Sequence, residues 1–286
     1  MAQTALRRPE NAPGPVFVDS SCIDCDTCRW MAPRVFARRN GQSAVAAQPA
    51  GAAEARLAAE AAVACPTASI AAPGMAEAAR DFPVPVAGEV FHCGYHSPSS
   101  FGATSYFVRL PEGNLLVDSP RFAAPLVRRL EESGGVAWML LTHRDDVADH
   151  ERFARHFGLR RVIHRRDGGF AEVLLDGEDA VGVAPRVTAI PVPGHTAGHV
   201  CYLVQGAQES FLFTGDHLAW DDEAGRLEAW PDVCWHDWGE QTRSMRRLLD
   251  VDFDWVLPGH GRRVRIPRGE RRPRLEQLIA WMETAA

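Results

Sequence analysis

The stretch LTHRDDVADH at residues 141–150 decides the reading of this chain: an apolar strand end runs directly into His143, Asp145, Asp146, Asp149 and His150. Three further stretches repeat the pattern. PVPGHTAGH at 191–199, FTGDH at 213–217 and LPGHG at 257–261 each begin apolar and stop at a histidine or an aspartate. Loops at strand ends are where a rigid scaffold presents ligands, and imidazole with carboxylate is the donor set of zinc, iron or manganese. Any one of these stretches alone is weak. In series they define a candidate centre for one or two divalent metals.

Around these stretches lie short β-rich runs, among them TSYFVRL at 104–110, NLLVDS at 114–119, RVTAIPV at 186–192, HVCYLV at 199–204 and FLFTGD at 211–216. Turn signals or amphipathic segments separate them, and the spacing predicts helices over 123–132, 149–157, 239–249 and 274–284. Strands in groups with helices outside make a layered α/β sandwich over residues 83–286. A Pro-, Gly- and Ala-bearing segment at 73–82 reads as a linker with one helical turn, and the domain boundary falls near Phe82.

Upstream, Cys22, Cys25 and Cys28 are followed by a distant Cys65 and Pro66. Three thiolates at CxxCxxC spacing with a remote fourth are the ligand set of a 4Fe-4S cluster. Zinc knuckles use paired CxxC or Cys and His, and a disulfide scaffold needs an export signal, so neither alternative matches. Residues 14–72 therefore form a small α+β unit, with a strand at 16–19 and an alanine-rich helix at 53–64. CIDCDTCRWMAPRVF with ACPTASI resembles the single-cluster bacterial ferredoxins, with Cys25 present where three-iron relatives lack a thiolate.

Taken together, the four strand-end stretches resemble the metallo-β-lactamase superfamily, including its glyoxalase II-like hydrolases. The resemblance implies an αββα sandwich with metals at the sheet edge. It also implies roles, residue by residue: His143 opens the HxHxDH signature, Asp149 and His150 close it, His195 belongs to the GHTxGH loop, Asp216 bridges the metals and His260 is the last ligand. Asp145 stands where the family has a second histidine, and two extra residues separate it from Asp149. Asp146 is the alternative occupant of that place. A carboxylate there hardens the site toward iron or manganese. Flavo-diiron proteins carry such a carboxylate, and persulfide dioxygenases use the equivalents of His143, His195 and Asp216.

Other residues carry weaker signals. His199 and His217 follow ligands and are placed to orient them. His92, Cys93 and His96 invite a third metal site, though a loop beside the cleft is the plainer reading. Trp220, Trp230, Trp235 and Trp238 crowd one stretch as core, interface or pocket wall. The arginines of GRRVRIPRGERRPR at 261–274 read first as solvated surface and second as an anion attractor.

Composition bounds the rest. All 31 basic residues are arginine, and the net charge of −6 argues against nucleic acid as the partner. No apolar run is long enough for an export segment or a membrane span, so the sequence points to the cytoplasm, where thiols stay reduced. Two functions compete: a hydrolase in which Asp149 and Asp216 position a metal-activated water on an ester, thioester or lactone-like small molecule, and a non-haem iron oxidoreductase fed electrons by the cluster or a redox partner. A redox module whose second half only docks is a third. Self-association is left open.

Overall fold

A computed structural model describes residues 1–285, and two compact units divide them. The first gathers residues 1–84, 92–105 and 120–134; the second gathers 85–91, 106–119 and 135 onward. The division near Phe82 follows the linear order of motifs, whereas these units draw two later segments into the first.

In the first unit, Phe17–Val18 pairs antiparallel with Ile70–Ala71, and Phe36–Arg39 pairs with Gln42–Val45. Asn40 and Gly41, at φ of 46° and 79°, make the tight turn between the latter two. The helix Ala52–Ala64 buries Ala58, Ala59, Ala61, Ala62 and Ala64, small side chains that let neighbouring helices approach closely. Residues 75–81, expected as a single turn, form the longer helix Met75–Asp81.

The second unit is built on two sheets. One has the strand order Val173–Leu175, Arg160–His164, Trp138–Leu140, Leu115–Val117, Tyr106–Val108, Val90–His92, Val84–Ala87; the other runs Val181–Ala184, Val187–Pro191, Val200–Gln205, Ser210–Gly215, Trp255–Pro258, Val264–Arg265. Tyr106, Val108, Leu115, Val117, Leu140 and Val162 of the first sheet pack against Val187, Val200, Tyr202, Val204, Phe211 and Phe213 of the second. Alternation along each strand sends these apolar side chains inward. On its other face the second sheet packs Leu212, Cys201 and Val256 against Met245, Leu275, Leu278 and Met282 of the helices Trp238–Met245 and Arg271–Met282. This is the layered sandwich expected.

Strand direction then fixes one edge. Leu115–Val117, Trp138–Leu140 and Arg160–His164 are mutually parallel, so Asp118, His143 and Asp167 emerge together. Ser210–Gly215 is parallel to Trp255–Pro258, and two antiparallel steps relate it to Val187–Pro191, so Asp216, His260 and His195 also leave at a common end.

Phe213 is fully buried between the sheets and meets Tyr106 edge-on at 5.3 Å. Phe213→Ala should lower the unfolding free energy by about 3–5 kcal/mol in urea denaturation; a loss below about 1 kcal/mol would show that this interface is not the core.

Candidate metal centre

His143 follows Trp138–Leu140 and is completely buried. Its Nδ1 lies 3.0 Å from the hydroxyl of Thr142, which is also 3.0 Å from both carboxylate oxygens of Asp118. With that hydroxyl donating to Asp118, the imidazole proton sits on Nδ1. Nε2 is left as a bare acceptor facing the site, the tautomer a metal ligand needs.

Asp216 is the meeting point. Its Oδ2 lies 3.7 Å from His143 Nε2, 3.6 Å from His195 Nε2 and 3.9 Å from His260 Nε2. Two sets of potential ligand atoms, each within 4.8 Å of one another, share it: His143, His195 and Asp216, and Asp146, Asp216 and His260. The carboxylate is aimed by its own backbone, because the Asp216 N–H donates to His199 Nε2 at 3.2 Å. Glycines make room. A Cβ on Gly259 would lie 2.8 Å from Asp146 Oδ2 and 2.9 Å from Asp216 Oδ1, and one on Gly215, at φ 48°, would lie 2.5 Å from the Thr142 hydroxyl.

The structure thus draws Asp146 into the centre. Asp145 is 44% exposed and reaches His143 Nε2 only at 3.9 Å, outside both sets. Asp149 and His150, read from the sequence as the closing pair of the signature, join neither set. The two extra residues explain this. Ala148 turns the chain at φ 33°, Asp149 becomes the residue before the helix His150–Phe157, and His150 is carried onto that helix. There its Nδ1 accepts from Arg161 at 2.9 Å and its ring packs on Phe170 at 4.7 Å. Asp149 stands beside Arg152.

Two positioning carboxylates escaped the sequence reading. Asp118 accepts from the backbone N–H and hydroxyl of Thr142. Asp167 accepts from the Arg144 and Gly198 N–H groups at 3.1 and 2.7 Å and from the Thr196 hydroxyl at 2.6 Å, tying the His143 loop to the His195 loop. Both stand just past strands, Asp118 at the end of NLLVDS and Asp167 after RVIHRRD. The ligand pattern was visible there too.

The electrostatics call for a cation. Burial holds His143 below the usual imidazole range and His195 down to about 4. Burial, then the charge of Asp216 and Asp118, raises Asp146 well above the carboxylate range, and burial lifts Asp118 to about 8. The three imidazoles hold Asp216 low despite its burial. Among the described residues, His143 Nε2, His195 Nε2, Asp146 Oδ2 and Asp216 Oδ1 are buried with no hydrogen-bond partner. Buried polar atoms are normally paired, so four orphans divided between two ligand sets that share Asp216 match one or two divalent ions with imidazole and carboxylate ligands.

Residues 99–260, more than half of the chain, match the family model of the metallo-beta-lactamase superfamily. The chain belongs to that superfamily. Residues 18–72 match the 4Fe-4S single cluster domain of ferredoxin I. A hydroxyacylglutathione hydrolase of Citrobacter koseri is 30% identical over 41% of this chain and 47% of its own length. The lactamase-like protein aptB of Emericella nidulans is 26% identical over 56% of this chain and 51% of its own. The chain thus spans about half the length of the curated relatives it matches. A subclass B3 metallo-beta-lactamase structure from Bradyrhizobium japonicum aligns with a TM-score of 0.49 at 13% identity, over 70% of this chain and 92% of that one.

Like other members of the superfamily, this one holds one or two divalent metals, and its first unit carries a 4Fe-4S cluster. Cys22, Cys25, Cys28 and Cys65 line one pocket with Val18, Ile23, Pro66 and Ile70. Asp24 and Asp26, at φ of 61° and 68°, wind the loop between the cysteines, and Arg29 bonds to both carboxylates. Aspartate tolerates this left-handed conformation. Burial, with the neighbouring sulfurs, pushes the Cys25 thiol up to about 11, and the positive charge of iron favours its thiolate. The Asp24 and Ser69 N–H groups already point at Cys22 Sγ and Cys65 Sγ, at 3.4 and 3.3 Å.

The remaining candidates resolve simply. His92 and His96 hydrogen-bond to each other at 2.7 Å and, with Cys93, form no metal set among the described residues. The arginines after His260 are largely committed to Glu209, Asp254, Asp252, Glu276 and Glu270. Trp220 and Trp238 pack in the cluster under the second sheet, while Trp235 is 60% exposed beside His195. No helix among the described residues is long and apolar enough to cross a membrane.

Asp146→Asn should weaken divalent-metal binding by about tenfold or more, and Asp145→Asn by less than about twofold, in competition with a chromophoric chelator. The reverse order would move the ligand to Asp145.

Proposed function

We propose that this protein is a metal-dependent hydrolase that brings water to the carbonyl carbon of a small ester, thioester or lactone-like substrate. The observation that carries the reading is Asp216 shared between two ligand sets, one with two imidazoles and one with Asp146 and His260. A divalent cation in such a set polarises a carbonyl oxygen and acidifies water. The protein's part is positional. Thr142 and Asp118 hold the His143 tautomer, His199 aims Asp216, and Asp167 clamps the two ligand loops together. Asp216 orients the attacking water, and Asp146 takes the role that the linear motif gives to Asp149. The name of the Citrobacter relative favours a thioester among the candidate substrates.

A second reading has its own support. His143, His195 and Asp216 are two imidazoles and one carboxylate, the set that holds a single non-haem iron with open positions. With a cluster in the same chain, that set suits an oxidoreductase receiving electrons through the first unit or from a redox partner.

Metal analysis with a thioester assay separates the two. The full chain should contain zinc or manganese beyond the cluster iron and hydrolyse S-acylglutathione, with kcat/KM falling by about 100-fold or more in His195→Ala. Iron in the second unit, dioxygen consumption and no thioester hydrolysis would overturn the hydrolase in favour of the oxidoreductase.

A further inference from the structure

The first unit holds a buried hydrogen-bond chain that cluster binding alone does not require. Thr27, two residues after Cys25, is 2% exposed, and its Oγ1 lies 3.4 Å from Cys25 Sγ. His96 Nδ1 lies 3.2 Å from that hydroxyl and 2.7 Å from the Gly102 carbonyl oxygen. His96 Nε2 lies 2.7 Å from His92 Nε2, and both rings are fully buried.

Chemistry orders the protons along this chain. A carbonyl oxygen only accepts, so His96 Nδ1 carries the hydrogen, and in the neutral ring Nε2 is bare. His92 Nε2 must then donate to His96. The Thr27 hydroxyl also reaches the Gly102 carbonyl oxygen at 3.4 Å, which it shares with the shorter bond from His96. Once Cys25 is a thiolate ligand it has no proton of its own, and its negative sulfur, as near to the Thr27 hydroxyl as the neutral Gly102 carbonyl, is the more strongly accepting partner. Gly102 makes this approach possible: at φ 85°, a Cβ there would lie 2.9 Å from Cys25 Cβ.

We propose that Thr27, held by the buried His92–His96 pair, sets the reduction potential of the 4Fe-4S cluster by donating its hydroxyl hydrogen bond to Cys25 Sγ. Reduction adds one electron from an external one-electron donor and moves no atom. The added charge spreads onto the sulfurs, and a donor at Cys25 stabilises the reduced form over the oxidised one. Thr27 is the tuning group and His96 a positioning residue acting through it.

The test is an optical and EPR redox titration of the full, cluster-loaded chain with dithionite as donor. Thr27→Val should shift the reduced-to-oxidised ratio at a given potential about tenfold toward the oxidised form, a midpoint lower by about 59 mV for one electron. Thr27→Ser, which keeps the hydroxyl, should restore it. His96→Leu should lower the midpoint in the same direction, and His96→Asn, whose amide can replace the Nδ1 donor, should recover most of the change. A Thr27→Val protein with full iron content and the wild-type midpoint would overturn the proposal. If Thr27→Val does not retain its cluster, the His96 pair decides: equal midpoints for wild type, His96→Leu and His96→Asn would overturn it as well.

Discussion

The second unit depends on one constraint: Asp216 faces His143, His195 and His260 and shares its site with a second buried carboxylate, Asp146, and His143 Nε2, His195 Nε2, Asp146 Oδ2 and Asp216 Oδ1 are buried with no hydrogen-bond partner. Such an arrangement is unfavourable without a cation, since desolvated carboxylates repel and orphaned acceptors go unpaired. Cation binding therefore couples directly to the packing of this edge. The surrounding hydrogen bonds, from Asp118 through Thr142 to His143 and from Asp167 to the His195 loop, make sense as a frame that fixes ligand direction before the ion arrives.

The frame follows from strand direction. Three parallel strands in one sheet and three co-directional strands in the other end at a common edge, so residues more than one hundred positions apart converge without a long loop. The first unit works on a different principle. Its helix of small alanines and its aspartates in left-handed backbone gather four thiols around one pocket.

Much of this was legible in the sequence, for identifiable reasons. Apolar runs that stop at His or Asp mark strand ends, so His143, His195, Asp216 and His260, which the fold brings within reach of one another, could be picked out together, as could the cysteine spacing. That Asp149 and His150 lie outside both ligand sets has a local cause. A linear motif assumes fixed spacing, and two inserted residues with a turn at Ala148 place His150 on a helix facing Arg161. Asp118 and Asp167 were missed because one carboxylate at a strand end looks like ordinary turn chemistry until the threonines and N–H groups it holds are seen. The segment around His96 was read as a loop beside the cleft, yet the fold gathers it into the first unit, which no local pattern signals.

The most direct measurement is a crystal structure of the full chain, with anomalous scattering recorded at the edges of the metals that elemental analysis finds. The account predicts an anomalous peak about 2.0–2.2 Å from His143 Nε2, His195 Nε2 and an Asp216 carboxylate oxygen. A peak coordinated instead by Asp149 and His150, or His143 and His195 turned away from any metal, would contradict it.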